Sequence, residues 1–157
     1  MSQATADRCR GLPTIVVSDA FRLAPWAVAL VSTDHKWWIE NPEAADFPGA
    51  KFSVNRIDRV RRVEPNGLIG TDTNSGLLAL HVALTVYRAA RVLLFGFDMQ
   101  GTHYFGPHKT LPNTTESRFE VFRTQFSRYA KGVTAEVVNC TPASTLTCFP
   151  KGVACLS

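Results

Sequence analysis

The sequence has no closely spaced cysteine pair, no long apolar run, no internal repeat and no low-complexity linker. Each absence removes a class of protein. The four cysteines, Cys9, Cys140, Cys148 and Cys155, form neither a zinc knuckle nor a redox CxxC. A chain of this size with an ordinary core needs no disulfide staple, so reduced and mostly buried thiols are expected. The longest uncharged apolar stretch near the N-terminus, residues 24–31, is too short to cross a bilayer and contains Pro25. No signal-peptide layout precedes it. The expectation is a cytoplasmic chain without a membrane span.

The composition, 45% hydrophobic and 19% charged, is globular, and 157 residues fit one domain over 1–157. The net charge of +4 is mildly basic. Arg56, Arg59, Arg61 and Arg62 share one short segment. Such a patch attracts polyanions, but it also reads as the solvated face of a strand or hairpin. No nucleic-acid motif accompanies it, so nucleic acid is not an expected partner.

Two continuous apolar runs, over 14–18 and 27–33, read as strands buried on both faces. A further strand is expected over 51–54, and a loosely alternating edge strand over the arginine-rich 57–63. The spacing predicts a largely buried helix over 75–90, capped by Asn74 or Ser75. A central parallel strand follows over 91–97, then a long polar loop over 98–112. An amphipathic helix over 116–131 carries Phe119, Phe122, Phe126 and Tyr129 on one stripe. A last strand over 133–139 precedes a short turn or helix at 141–144. Alternating buried strands and helices imply an α/β fold with a doubly wound parallel sheet.

Ligands of such sheets bind outside the carboxyl ends of the strands. Ser18-Asp19, Thr33-Asp34, Phe97-Asp98 and Asn139-Cys140 occupy those ends. Thr73-Asn74-Ser75-Gly76 opens the buried helix, where free N–H groups suit an anion or a sugar hydroxyl; an ordinary N-cap is the alternative. Asp98 is suited to accepting hydroxyls or to holding a metal, or else it ties down its own turn. His103-Tyr104-Phe105-Gly106-Pro107-His108 packs two imidazoles and a phenol into six residues, and histidine is the default general base near neutral pH. A metal site and a structural role remain open for the same loop, whose spacing matches no standard zinc signature.

Asn74-Ser75-Gly76, Val92-Leu93-Leu94-Phe95-Gly96-Phe97-Asp98, the His103–His108 segment and Asn139-Cys140-Thr141-Pro142-Ala143-Ser144 occur in that order. Taken together they resemble the bacterial lipooligosaccharide sialyltransferases, glycosyltransferase family 42. They are more similar still to a group of phage and prophage proteins related to that fold. The resemblance implies a Rossmann-like three-layer α/β domain with a mainly parallel sheet, a glycosyltransferase-A-like variant. It implies a metal-independent transferase using a CMP-sugar donor and an acceptor, with no resident cofactor, in the cytoplasm of a bacterial host. A homo-oligomer is compatible with it. A nucleotide-binding protein without turnover is the alternative.

By resemblance, Asn74, Ser75, Gly76 and Asp98 contact the donor, joined by Asp19 and by Thr33 or Asp34 at the strand ends. His108 becomes the catalytic base and Tyr104 the aromatic of its segment, with His103 on the donor side. Gln100 stands near the position of a tyrosine that assists the leaving phosphate in the family. Pro107 adds one residue before His108, and nothing before Thr14 resembles the family's first strand and Gly-Pro-Ser loop.

Overall fold

A computed structural model of the chain describes residues 2–101 and 114–152. They form two compact units, Ser2–Tyr87 and the residues from Arg88 onward. Both carry parallel strands with helices between them, the α/β class that the alternating sequence pattern implied.

In the first unit, α1 (Gln3–Arg8) is capped by Ser2, whose hydroxyl accepts from the Thr5 N–H at 3.1 Å. Four parallel strands follow in spatial order β1-β2-β3-β4: Ile15–Val17, Ala29–Val31, Ala50–Ser53 and Arg61–Arg62. β2 reads Ala-Leu-Val and is wholly buried, as a strand with both faces covered requires. Its register sets Ala29 opposite Ile15 on one side and opposite Ala50 on the other. β4 is the edge expected of the arginine-rich stretch, although only its two arginines pair, Arg61 with Phe52 and Arg62 with Ser53. A 3-10 turn (Ser18–Arg22) links β1 to β2, and α2 (His35–Glu40) with a second 3-10 turn (Pro42–Asp46) links β2 to β3.

Helix α3 (Ser75–Thr85) packs on β1 and β2, and Leu77, Leu78, Leu80 and Val82 are no more than 1% exposed. It ends five residues before the expected Ala90. The Tyr87 N–H reaches back to the Val82 carbonyl at 3.2 Å and Arg88 takes a left-handed φ of +53°, which together turn the chain out of the helix.

Desolvation lowers the His81 pKa from its ordinary value. The folded unit therefore prefers neutral imidazole and binds fewer protons than the unfolded chain. This contribution to stability is complete above the unfolded histidine pKa and is lost as pH falls through the lower folded value. Urea midpoints measured between about pH 5 and pH 7 should fall more steeply toward acid in the wild type than in His81→Gln. Parallel curves would place the titrating group elsewhere.

In the second unit, β5 (Arg91–Leu94) pairs in parallel with β6 (Glu136–Asn139), Arg91 opposite Glu136 and Leu94 opposite Asn139. A central strand was expected here; among the described residues β5 has β6 as its one sheet partner. Helix α4 (Glu116–Ala130) starts at Thr115, whose hydroxyl accepts from the Arg118 N–H at 3.3 Å. Phe126 and Tyr129 of its apolar stripe are buried, and Phe126 meets Phe97 edge-on at 5.8 Å. Residues 141–144 form a turn closed by the Ser144 N–H on the Thr141 carbonyl. The cysteines depart from the expectation of four reduced thiols. Cys140 is disulfide-bonded, while Cys9 and Cys148 are free. A lone cysteine beside a strand end carries no spacing signal for such a bond.

Candidate functional site

At the carboxyl ends of β1, β2 and β3 the first unit gathers small neutral polar groups. Ser18 directly follows β1 with φ +46°, a conformation non-glycine residues adopt rarely, and its hydroxyl donates to that of buried Ser32 at 3.2 Å. One residue on, the Thr33 N–H donates to Ser75 Oγ at 2.9 Å, and the two hydroxyls share a second hydrogen bond at 2.9 Å. Asn55, just past β3, donates from its side-chain amide to the Thr33 carbonyl at 2.6 Å. Short strands deliver Ser18, Ser32, Thr33 and Asn55 and the start of α3 delivers Ser75, so hydroxyls and an amide from four segments meet where parallel strands end.

The acids nearby are already engaged. Asp19 Oδ1 receives Arg22 Nη1 at 2.6 Å and the Trp37 indole N–H at 3.2 Å, while Arg22 also bonds Asn41 and Glu43. Asp34 caps α2, accepting from the N–H groups of Lys36 at 2.8 Å and Trp37 at 3.3 Å. The Trp38 indole N–H donates to the Ser32 carbonyl at 3.1 Å. Asp19 and Asp34 thus hold the framework behind the hydroxyls. Asn74 does the same for α3, its Oδ1 receiving the N–H groups of Gly76 at 2.8 Å and Leu77 at 3.3 Å. The ordinary N-cap is therefore realised, and two of the helix-start donors expected for an anion are occupied by it. Gly76 itself is buried.

The second unit contains a different arrangement. The turn after β5 takes left-handed φ at Gly96 (+75°), Met99 (+55°) and Gly101 (+74°). The segment after β6 clasps it. Thr141 Oγ1 accepts from the Phe97 N–H at 3.1 Å, the Ser144 hydroxyl donates to the Phe97 carbonyl, and the Thr145 N–H donates to the Asp98 carbonyl at 3.0 Å. Arg123 Nη1 of α4 donates to the Met99 carbonyl at 3.0 Å. Asn139, fully buried, orders the clasp by donating to Ser144 Oγ at 2.9 Å and the Leu146 carbonyl at 3.1 Å while accepting from the Thr141 N–H at 3.1 Å. Asp98 is thereby held by its backbone, and its exposed carboxylate has no partner among the described residues. The Gln100 amide is committed to the Ala143 carbonyl at 2.7 Å.

Of the residues singled out in the sequence, Thr33 and Ser75 meet directly, with Asn74 and Gly76 beside them. Asp19 and Asp34 act as anchors, Gln100 braces a turn, and Asp98 presents a carboxylate that is free among the described residues. His103, Tyr104 and His108 lie outside the described residues. Ser32 and Asn55 escaped notice, although a serine ending a buried apolar strand and an asparagine just past the next one are readable signals at such a sheet edge. No group of three His, Cys, Asp or Glu side chains among the described residues is placed to hold a metal, and no helix there is long and apolar enough to cross a membrane. An open groove of about 470 Å³, lined by Arg10, Leu12, Pro13, Trp26 and Val28 among others, lies at the opposite, amino ends of β1 and β2. Compared with known proteins, the chain matches no family model, no curated protein and no solved structure.

Proposed function

We propose that this chain binds a nucleotide-activated sugar of the CMP-sugar type and acts as a sialyltransferase-like glycosyltransferase without a metal. The observation that supports it most is the Thr33–Ser75 pair at the carboxyl end of β2, within a set of neutral hydroxyls and an amide. Such groups both donate and accept, as ribose and sugar hydroxyls require. In this reading the parallel sheet belongs to a Rossmann-like three-layer domain of the glycosyltransferase-A-like kind, working in the cytoplasm of a bacterial host. By the same resemblance, Asp98 is the carboxylate assigned to donor hydroxyls.

The chemistry then follows the resemblance. His108 takes the proton of an acceptor hydroxyl, whose oxygen bonds to the anomeric carbon as the bond from that carbon to the phosphate oxygen breaks and CMP leaves. Tyr104 and His103 precede the base in sequence. One observation favours a second reading, a donor-binding protein without turnover. Gln100 stands near the family's leaving-group tyrosine, and its amide is already bound to Ala143.

Thermal shift with CMP, UMP and their sugar conjugates tests the binding step. A ligand at about 100 times its Kd adds about 2.7 kcal/mol of stability, a readily measured rise in Tm. Binding is expected for the CMP series; no shift with any nucleotide at millimolar concentration overturns both readings. His108→Ala should abolish sugar transfer and leave donor affinity unchanged. A wild-type chain that binds donor but never transfers it establishes the second reading.

A further inference from the structure

We infer that Arg56 is the phosphate-binding residue of the first unit, pairing its guanidinium with the phosphate of a nucleotide held at the strand ends; the inference rests on the donor-binding reading above. The hydroxyl and amide groups gathered there supply no positive charge. The nearby Arg22 is spent on Asp19, Asn41 and Glu43. Asn74 fills the Gly76 and Leu77 donors of α3, so the helix start contributes less to an anion than its sequence suggests. A phosphate bound at this end therefore needs a cation from elsewhere.

Arg56 supplies one. It directly follows Asn55, which is fixed to this end of the sheet by its amide on the Thr33 carbonyl at 2.6 Å and by its N–H on Ser53 Oγ at 3.2 Å. The other arginines of the segment have occupations. Arg59 pairs with Asp58, Arg61 lies 5.6 Å from the centre of the Phe52 ring, and Arg62 bonds the Val54 carbonyl and Glu64. Arg56 is exposed and, among the described residues, has neither a carboxylate nor a ring. A planar guanidinium that is exposed and unpaired among the described residues, one residue from Asn55, is suited to bidentate recognition of a phosphate. What looks in the sequence like a patch of four equal charges is, among the described residues, one arginine without a partner and three with one.

Calorimetric titration of the full chain with CMP, cytidine and inorganic phosphate tests this, using Arg56→Gln and, as the control in the same patch, Arg59→Gln. Arg56→Gln should weaken CMP about 10- to 100-fold, as losing a charged hydrogen-bonded pair does, and leave cytidine unchanged. Arg59→Gln should change neither. Unaltered CMP affinity in Arg56→Gln overturns the assignment while the donor-binding reading stands. Phosphate binding that depends on Arg56, with CMP bound no more tightly than inorganic phosphate, keeps the anion site and removes the donor reading. Equal losses from both variants, together with tight binding of a single-stranded oligonucleotide, overturn the assignment in favour of a nucleic-acid surface. A wild type that binds none of the three overturns it as well.

Discussion

Gly49→Ala is expected to cost about 3 kcal/mol, at the upper end of the range for overpacking a well-packed interior. A Cβ at this position meets the Val28 carbonyl oxygen at 2.6 Å, the Ala27 carbonyl oxygen at 2.7 Å and Phe47 Cε1 at 2.7 Å. Two of the three obstacles are backbone atoms at the entry to β2. Val28 O also accepts from the Ala50 N–H at 2.9 Å, at the start of the β2–β3 pairing. Relief therefore requires the two strands to separate where their register begins. For a unit of this size the midpoint of thermal unfolding should fall by roughly 10 °C or more. Gly67→Ala is the control, since a Cβ there meets nothing within 4 Å. A Gly49→Ala midpoint within about 1 °C of that control would show that the strands give way cheaply.

Asn139→Asp is expected to cost a similar amount, about 3 kcal/mol at neutral pH, with no change in side-chain volume. The carboxylate keeps an acceptor for the Thr141 N–H. It has no proton for Ser144 Oγ or for the Leu146 carbonyl, and its charge is buried in a residue that is 0% exposed. Burial raises the pKa of such a carboxyl, so the folded variant binds a proton more readily than its unfolded chain. The loss should therefore shrink as pH falls through the raised value. The Phe97 amide, held by Thr141 Oγ1, should exchange with solvent faster in the variant. Unchanged exchange there would separate Asn139 from the turn that presents Asp98.

The two substitutions differ in how readable they were. Gly49 sits in a Pro-Gly turn that the sequence marks only as a turn, and the crowding comes from carbonyls of a strand some twenty residues earlier. Asn139 was legible as the end of a strand and as part of a motif resembling a transferase segment. Its role as the centre of a clasp was not. The same motif that suggests a donor site by resemblance works in the folded chain as a brace for the residues around Asp98.

The sequence alone determined the elements whose signal is local. Ala29-Leu30-Val31 is an unbroken apolar run, so it forms a strand with both faces covered. Asn74 or Ser75 ahead of one long helical stretch and Thr115 ahead of another are local cap signals, and Asn74 and Thr115 cap with their own side chains. The all-round apolar face of α3 required burial, and α3 is buried. Parallel pairing was expected from the alternation of buried strands with helices, and β1 to β4 do pair in parallel.

Tertiary structure decided everything that depends on distant partners. Thr33 and Ser75 are 42 residues apart, and only the packing of α3 on β1 and β2 brings their hydroxyls together. Asp19 looks like a free strand-end carboxylate until Arg22 and Trp37 fold onto it. Arg56 looks like one arginine of four until each of the others is found with a partner. Side-chain chemistry is carried by the residue, but whether a hydroxyl or a charge is spent or available is set by what the chain brings within about 3 Å of it. That is a property of the packed molecule.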